Sequence, residues 1–272
     1  MQILEQSIIA KNTDKKSEDG IVVTSDFIAV IDGSTSKTDR RYSTYRSNGR
    51  YAMELVSAFL RKAPKDLSCH QFCVGATKQL RHQYSSIRTR LTGGSFQRLS
   101  EHPEERLTAS AVVFSRVRRE IWMIGDCQCL VGDRYYDNPK PYEAVLAQQR
   151  ADIIKASPLP WDHFLEDDTA RQAIIPHMLD TMRQQNITYS VLDGFPVAEK
   201  HVRIITLDFQ PWEIVLASDG YPWLRPTLAQ SEEKLRWQRE HDPLCIGAFK
   251  ATKGFMKGQQ SFDDRTYIRF KV

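Results

Sequence analysis

The sequence predicts an α+β fold in which antiparallel strands are flanked by helices. Three apolar runs of strand length each end at an aspartate, over 27–32, 120–126 and 213–219. Apolar residues recur at helical spacing in two pairs of segments, over 51–60 and 69–90, then over 143–156 and 167–186. Neighbouring strands are separated by short turns, which is typical of antiparallel pairing.

In the first half of the chain, strands and helices alternate in groups. Residues 1–9 predict a first or edge strand, and 21–24 pair with 27–31 as a hairpin across Ser25 and Asp26. The two helices follow, the first ending before Pro64 and the second at Thr92–Ser95. Strands over 108–115, 120–125 and 127–131 then predict an antiparallel meander.

The second half of the chain again contains a pair of helices and several strands. Turn-forming residues over 133–141 predict a loop, and the second pair of helices follows it. The remaining strands are expected over 189–192, 202–207, 213–217 and 266–272, with helices over 226–239 and 243–255. Because no internal repeat or linker interrupts the pattern, we expect residues 1–272 to form a single domain.

Composition indicates an ordinary globular protein. The 272 residues are 41% hydrophobic and 26% charged, with a formal net charge of +4. The apolar runs are too short to span a bilayer, and the N-terminus lacks a signal-peptide pattern. We therefore expect a cytoplasmic monomer that binds neither nucleic acid nor a membrane.

The five cysteines predict reduced thiols and no zinc site. Their number is odd, and no secretory signal accompanies them. His70 alone does not complete a zinc site with Cys69 and Cys73. Cys127 and Cys129 are predicted to be small core residues.

The densest basic patch surrounds Tyr42 and comprises Arg40, Arg41, Arg46 and Arg50. It is either the solvated face of the following helix or a surface that binds a phosphorylated partner.

Acidic residues at strand ends predict a metal centre. Asp32, Asp126 and Asp219 each end an apolar strand, and Asp263 precedes the last one. Carboxylates gathered in a partly desolvated site repel one another, so a proton or a cation must neutralise them. Oxygen ligands without histidine or cysteine favour Mg²⁺ or Mn²⁺.

An ordered set of short motifs resembles the metal-dependent protein phosphatase 2C (PPM) family. The set is Glu18-Asp19, Val30-Ile-Asp32-Gly33, Thr108-Ala-Ser-Ala111, Ile124-Gly-Asp126, Ala217-Ser-Asp219-Gly220 and Asp263-Asp264-Arg-Thr266. The resemblance spans nearly the whole chain. It implies a four-layer α/β/β/α sandwich of two antiparallel sheets between helix pairs, with two or three Mg²⁺ or Mn²⁺ ions at one end.

The resemblance also implies the ligands of these ions. Asp32 matches the bridging aspartate and Gly33 the carbonyl ligand. The remaining matches are Glu18 and Asp19 as the acidic pair, Asp219 and Asp263 as later ligands, and Asp126 as part of a third site with Asp219. Asp264 stands where the family has asparagine, and we expect it to hold the loop.

The implied activity is hydrolysis of phosphoserine and phosphothreonine in proteins. A hydroxide bridging two ions attacks phosphorus directly, and Asp32, Asp219 and Asp263 are the implied catalytic residues. Electrostatic stabilisation and positioning supply most of the catalysis.

Three departures from the family pattern qualify this interpretation. Asp14 stands where the family has a phosphate-binding arginine, so Lys15, Lys16 or Lys37 is expected to contact the phosphate. No histidine follows Asp32-Gly33, and Cys127-Gln128 replaces a Ser-Arg pair. The alternatives left open are a pseudophosphatase or regulatory binding module with the same fold, and a magnesium-dependent hydrolase of a small phosphorylated metabolite.

Overall fold

The computed structural model describes residues 1–86, 89 and 94–272, and its ten strands form two antiparallel sheets. The strands are β1 Gln2–Ile9, β2 Gly20–Val23, β3 Phe27–Gly33, β4 Ala109–Ser115, β5 Glu120–Ile124, β6 Gln128–Val131, β7 Arg134–Tyr136, β8 Arg203–Thr206, β9 Glu213–Ala217 and β10 Arg265–Lys271. The first sheet has the order β2-β3-β4-β5-β8 and the second the order β1-β10-β9-β6-β7. All neighbouring strands pair antiparallel.

The described residues form seven α-helices. They are α1 Asn48–Leu60, α2 Cys69–Tyr84, α3 Phe96–Glu101, α4 Glu143–Ala156, α5 Trp161–Glu166, α6 Thr169–Met182 and α7 Leu228–His241. Ser47 and Ser68 cap the first two helices, and Ser68 forms a capping box with Gln71. These caps satisfy amides that the first turn of a helix leaves unpaired. None of the described helices is both long and apolar enough to cross a membrane.

Alternate residues of β3 enter two different cores. Ile28 and Val30 face the second sheet, where they lie in a cluster with Leu216 and Phe270. Ala29 and Ile31 face α1 and α2 on the opposite side. Both faces of the strand are therefore buried, as its unbroken apolar sequence predicts.

The outer face of the second sheet is covered by the segment that leads into α7. Leu130, Val215 and Tyr267 of the sheet cluster with Tyr221 and Leu224. Helices α4 and α6 pack against each other through a separate apolar cluster. The predicted fold class, α+β with two antiparallel sheets flanked by helices, is confirmed.

The predicted meander over 108–131 is wrong at its last strand. β4 and β5 pair as expected, but β6 belongs to the second sheet and pairs with β7 and β9. Gly125 has a φ of +81°, and a Cβ there would lie within 2.6 Å of the Ser110 Cβ. Only glycine accommodates this turn, which moves the chain from one sheet to the other.

The predicted helix over 243–255 is also wrong, because this segment forms turns and loops. The Asp242 carboxylate accepts hydrogen bonds from the amides of Ile246 and Gly247, at 3.0 and 2.8 Å. Cys245 has a φ of +52°, which a helix does not allow. Local side-chain hydrogen bonds thus replace the helical ones.

Smaller differences concern segment ends. The strand predicted over 189–192 makes only isolated bridges, between Leu192 and Ala109 and between Tyr189 and Gln185. β7 lies within the loop predicted over 133–141, and α5 was not predicted. Helix α2 is described to Tyr84, and the part of its prediction that falls on 87–88 and 90–93 lies outside the described residues. All five cysteines are free and buried, as predicted for Cys127 and Cys129.

Candidate metal centre

Four aspartates from distant parts of the chain line one cavity of about 100 Å³. Asp32 lies near the end of β3, Asp126 follows β5, Asp219 follows β9 and Asp263 precedes β10. Strands that alternate in direction present one of their ends at the same edge of the sandwich. The structure therefore brings together the carboxylates that the sequence separates by as many as 231 positions.

The tightest group of carboxylates in the described residues contains Asp126, Glu143 and Asp219. One oxygen from each carboxylate lies within 4.8 Å of the other two. Glu143 is the first residue of α4 and was not predicted as a site residue. An acid in the first turn of a helix is common because it suits the helix dipole, so the sequence alone does not distinguish it.

The Glu18–Asp19 pair reaches the same edge through backbone contacts. The Glu18 amide donates to the Asp264 carboxylate at 2.6 Å, and the Gly33 amide donates to the Glu18 carbonyl at 3.2 Å. Both acidic side chains are buried, and among the described residues Glu18 Oε1 and Asp19 Oδ2 have no hydrogen-bond partner. Buried oxygens of this kind require a cation, a proton or a water.

Two glycines allow this approach. A Cβ on Gly33 would overlap the carbonyl oxygen of Gly49, the second residue of α1. A Cβ on Gly49 would lie 2.7 Å from Glu18 Oε1. Helix α1 therefore begins in contact with the turn that carries Asp32, and neither position accepts a side chain.

Burial and mutual repulsion disfavour the ionised forms of these acids. Burial raises the pKa of Asp32 well above its ordinary value, and the Asp19, Asp219 and Asp126 carboxylates raise it further. The pKa of Asp19 rises to about 7, mainly through burial. Burial, with Asp126 and Glu143, also raises the pKa of Asp219. Such a cluster gains most from a multivalent cation.

The donor set fits hard divalent ions. It offers carboxylate oxygens and backbone carbonyls, and no histidine or cysteine lines the cavity among the described residues. Mg²⁺ and Mn²⁺ prefer such ligands. The orphaned oxygens of Glu18 and Asp19 provide an observation, independent of the motifs, that agrees with this fit.

Basic side chains already reach into the acidic cluster. Lys140 binds the Asp126 carboxylate, which also accepts from Ser110 Oγ at 2.6 Å. Burial alone would raise the pKa of Asp126, but Lys140 and these hydrogen bonds hold it below its ordinary value. Asp263 binds both Lys253 and Lys11, the latter at 3.2 Å.

Lys37 and Arg171 complete the basic lining of the cavity. Burial lowers the pKa of Lys37 well below its ordinary value, and the nearby charges of Arg171 and Lys253 lower it further. Burial, followed by Lys11 and Arg171, lowers the pKa of Lys253 to about 8, although Asp219 opposes the shift. Cations crowded in this way favour an anion between them.

The sequence-predicted phosphate contacts lie in two places. Lys37 lines the cavity, whereas Lys15 and Lys16 line a neighbouring groove. Arg171 lies in α6, and its Nη1 donates to the Thr252 carbonyl at 2.6 Å. No motif in the sequence singles out Arg171, because only the packing of α6 brings it to the cavity.

Asp264 holds the loop, as the sequence analysis expects. Its two carboxylate oxygens accept the amides of Lys11 and Glu18, at 2.8 and 2.6 Å. A carboxylate oriented by backbone amides is fixed at this position, and it ties the acidic loop to the start of β10.

Comparisons with known proteins find similar solved structures but no matching sequence. No protein-family model and no curated protein sequence matches the chain. One similar structure is PppA, described as a key regulatory component of T6SS in Pseudomonas aeruginosa, at 12% identity over 97% of this chain and 95% of that one, with a TM-score of 0.47.

Two further structures bear names of enzymes. The catalytic domain of the serine/threonine phosphatase PstP with two manganese ions is 13% identical over 100% of both chains, with a TM-score of 0.46. The PPM Ser-Thr phosphatase MsPP from Mycobacterium smegmatis is 14% identical over 99% of this chain and 98% of that one, with a TM-score of 0.43. The chain is similar to these solved structures over 97–100% of its length, and the fold itself rests on the strand order and pairing given above.

Proposed function

We propose that this chain is a metal-dependent serine/threonine protein phosphatase of the phosphatase 2C (PPM) type. One observation carries the proposal: Asp32, Asp126, Asp219 and Asp263 line a single cavity together with Lys37 and Arg171. A cavity lined by carboxylates alone would suit metal binding, and one lined by basic side chains alone would suit anion binding. Both in one cavity suit a site that holds divalent ions and a phosphate group.

The metal ligands are proposed from the carboxylates and from their resemblance to the family motif. They are Asp32, the carbonyl of Gly33, Glu18 or Asp19, Asp219 and Asp263 for two ions, with Asp126 and Asp219 at a third site. Glu143 is added because its carboxylate lies with those of Asp126 and Asp219. When bound, Mg²⁺ or Mn²⁺ lowers the pKa of a water and offsets negative charge on the phosphoryl group.

The chain's own cations are proposed to hold the phosphate. The guanidinium of Arg171 is anchored to Thr252 by one nitrogen and can present the others to two phosphate oxygens. Lys37 adds a single positive charge from the turn that follows β3. Arg171 of α6 would thus take the role of the phosphate-binding arginine, whose position in the family motif is occupied here by Asp14.

Hydrolysis of a phosphothreonine peptide with added Mn²⁺ tests the proposal. We expect turnover that a chelator abolishes and that Asp32→Asn lowers at least 100-fold, since a lost metal ligand removes several kcal/mol of transition-state stabilisation. Asp133→Asn is the matched control, because Asp133 is exposed in a turn between β6 and β7. Activity that survives the chelator or Asp32→Asn contradicts the assigned chemistry.

A regulatory module that binds without turnover is the second candidate function. The observation in its favour is that Lys140, Lys253 and Lys11 already neutralise Asp126 and Asp263. Phosphate release from phosphopeptides, measured beside titration calorimetry with Mn²⁺, separates the two candidates. Binding of two or more ions together with turnover supports the enzyme. A protein that releases no phosphate from any peptide, whether or not it binds Mn²⁺, supports the regulatory module.

A further inference from the structure

A basic groove of about 750 Å³ lies beside the metal centre. It is lined by residues of the loop after β1, the turn after β3 and the start of α1. These residues are Lys11, Asn12, Lys15, Lys16, Glu18, Thr35, Ser36, Arg41, Tyr45, Arg46, Ser47, Arg50, Glu54 and Asp264. Six of them are basic and three are acidic, so the basic groove carries an excess of positive charge.

The acidic residues of the basic groove are already engaged. Glu54 binds both Arg46 and Arg50, each at 2.9 Å. The Asp264 carboxylate accepts two backbone amides, and Glu18 accepts a hydrogen bond from Thr35. Among the described residues, none of the three forms an ion pair with the remaining cations, and the unpartnered Oε1 of Glu18 is buried.

Three cations remain for a ligand. Lys15, Lys16 and Arg41 are exposed, and within the described part of the chain none of them makes an ion pair. Ser47, the N-cap of α1, also lines the basic groove, so the positive end of a 13-residue helix adds to the field. Two independent features of the basic groove, its exposed cations and the N-terminus of α1, therefore attract an anionic ligand.

The basic groove and the metal centre are continuous. Thr35 lines both, and Lys11 Nζ lies 3.2 Å from Thr35 Oγ1 and 3.2 Å from Asp263. A chain that places a phosphorylated side chain in the cavity can therefore extend into the basic groove.

We infer that the basic groove binds an acidic segment of the substrate protein, next to the phosphorylated residue in sequence. The inference rests on the proposed function for the phosphorylated residue itself. Aspartate and glutamate side chains of one peptide can each pair with a different cation, and Lys15, Lys16 and Arg41 offer these cations from two loops that line the basic groove. A nucleic acid fits less well, because Tyr45 is the one aromatic side chain among the described residues that line the basic groove.

The first test measures binding without catalysis. A fluorescent, unphosphorylated peptide with four glutamates is titrated by anisotropy against the wild type and the triple variant Lys15→Gln/Lys16→Gln/Arg41→Gln. We expect about tenfold weaker binding to the variant, since exposed ion pairs each contribute modestly. The control Lys62→Gln/Lys65→Gln/Lys78→Gln removes the same charge from exposed sites elsewhere and should bind like the wild type.

The second test compares phosphothreonine peptides with acidic and neutral flanks. The triple variant should lower kcat/KM for the acidic peptide about tenfold more than for the neutral peptide, because only the acidic flank offers carboxylates to Lys15, Lys16 and Arg41. Equal loss in the control, equal binding of a single-stranded oligonucleotide, or turnover with no flank preference overturns the inference. If no peptide is hydrolysed but the variant still loses peptide binding, the basic groove stands and the proposed enzyme fails.

Discussion

Replacing Asp219 by asparagine should stabilise the metal-free protein while weakening its binding of Mn²⁺. Carboxylate oxygens of Asp219, Asp126 and Glu143 lie within 4.8 Å of one another. Two unit charges at that distance repel by about 3.5 kcal/mol at an effective dielectric constant near 20. Asparagine has nearly the same shape and removes this repulsion from one member of the group.

Two effects limit the gain. Lys253 and Lys140 attract the Asp219 carboxylate and offset part of the repulsion. A carboxyl can also escape repulsion by binding a proton, which at pH 7 costs at most about 4 kcal/mol for an ordinary aspartate. We therefore expect a net gain of about 2 kcal/mol, or about 4–8 °C in Tm for a chain of this size.

The gain should depend on pH with a defined sign. Burial, with Asp126 and Glu143, raises the pKa of Asp219 in the folded protein. Above the ordinary aspartate pKa of about 4, the folded wild type therefore holds more protons than the unfolded chain, and its stability falls as pH rises. The advantage of Asp219→Asn should accordingly grow from acidic to neutral pH.

Scanning calorimetry in chelator, repeated after addition of Mn²⁺, provides the assay. Mn²⁺ should raise the Tm of the wild type and of the control Asp133→Asn, but raise that of Asp219→Asn much less. If Asp219→Asn is no more stable than the wild type in chelator while Asp133→Asn is unchanged, the carboxylates do not repel as the geometry requires.

Three further predictions concern a glycine of the site and two ion pairs of the fold. Gly33→Ala should abolish Mn²⁺ binding measured by calorimetry, because its Cβ would overlap the Gly49 carbonyl and displace the turn; binding at the wild-type affinity would contradict this. Arg150→Ala should lower the free energy of unfolding, measured with urea, by about 3–5 kcal/mol, because the buried carboxylate of Asp168 loses its ion-pair partner. A loss under about 1 kcal/mol would contradict this prediction. Glu105→Gln should cost about 1 kcal/mol near pH 7. Arg98 and other hydrogen-bonding partners lower the pKa of Glu105 in the folded protein. The ionised carboxylate therefore stabilises the fold above the ordinary glutamate pKa, and this contribution is lost as pH falls through the folded pKa. The unfolding free energies of wild type and variant should accordingly converge in acid.

The sequence predicts the strands well because their signal is local. An unbroken apolar run such as Phe27–Ile31 is compatible only with burial on both faces, and both faces are buried. Which strands pair is not a local property. The short Gly125–Cys127 turn looks the same in sequence whether β6 stays in the first sheet or enters the second.

The residues of the candidate site also divide into those with a local sequence signal and those placed by tertiary packing. Aspartates at strand ends can be predicted from sequence, because the apolar run that forms each strand also fixes where the strand ends. Glu143 and Arg171 lie on helices, and only the packing of α4 and α6 places them at the cavity. The segment over 243–255 has helical spacing, but Asp242 and Arg150 take up its backbone groups instead.

The charges of the cavity explain why acids and bases coexist there. Among the described residues, five carboxylates and four basic groups line it, so without metal it is nearly neutral. The ammonium groups of Lys140 and Lys253 pair with Asp126 and Asp263 and offset part of the repulsion within the acidic cluster. Two divalent ions would make the cavity strongly positive and free these lysines from the carboxylates. A phosphate monoester, which carries close to two negative charges at neutral pH, would then be a ligand that offsets this positive charge. Metal and phosphate binding are thus expected to be cooperative, through the shared lysines.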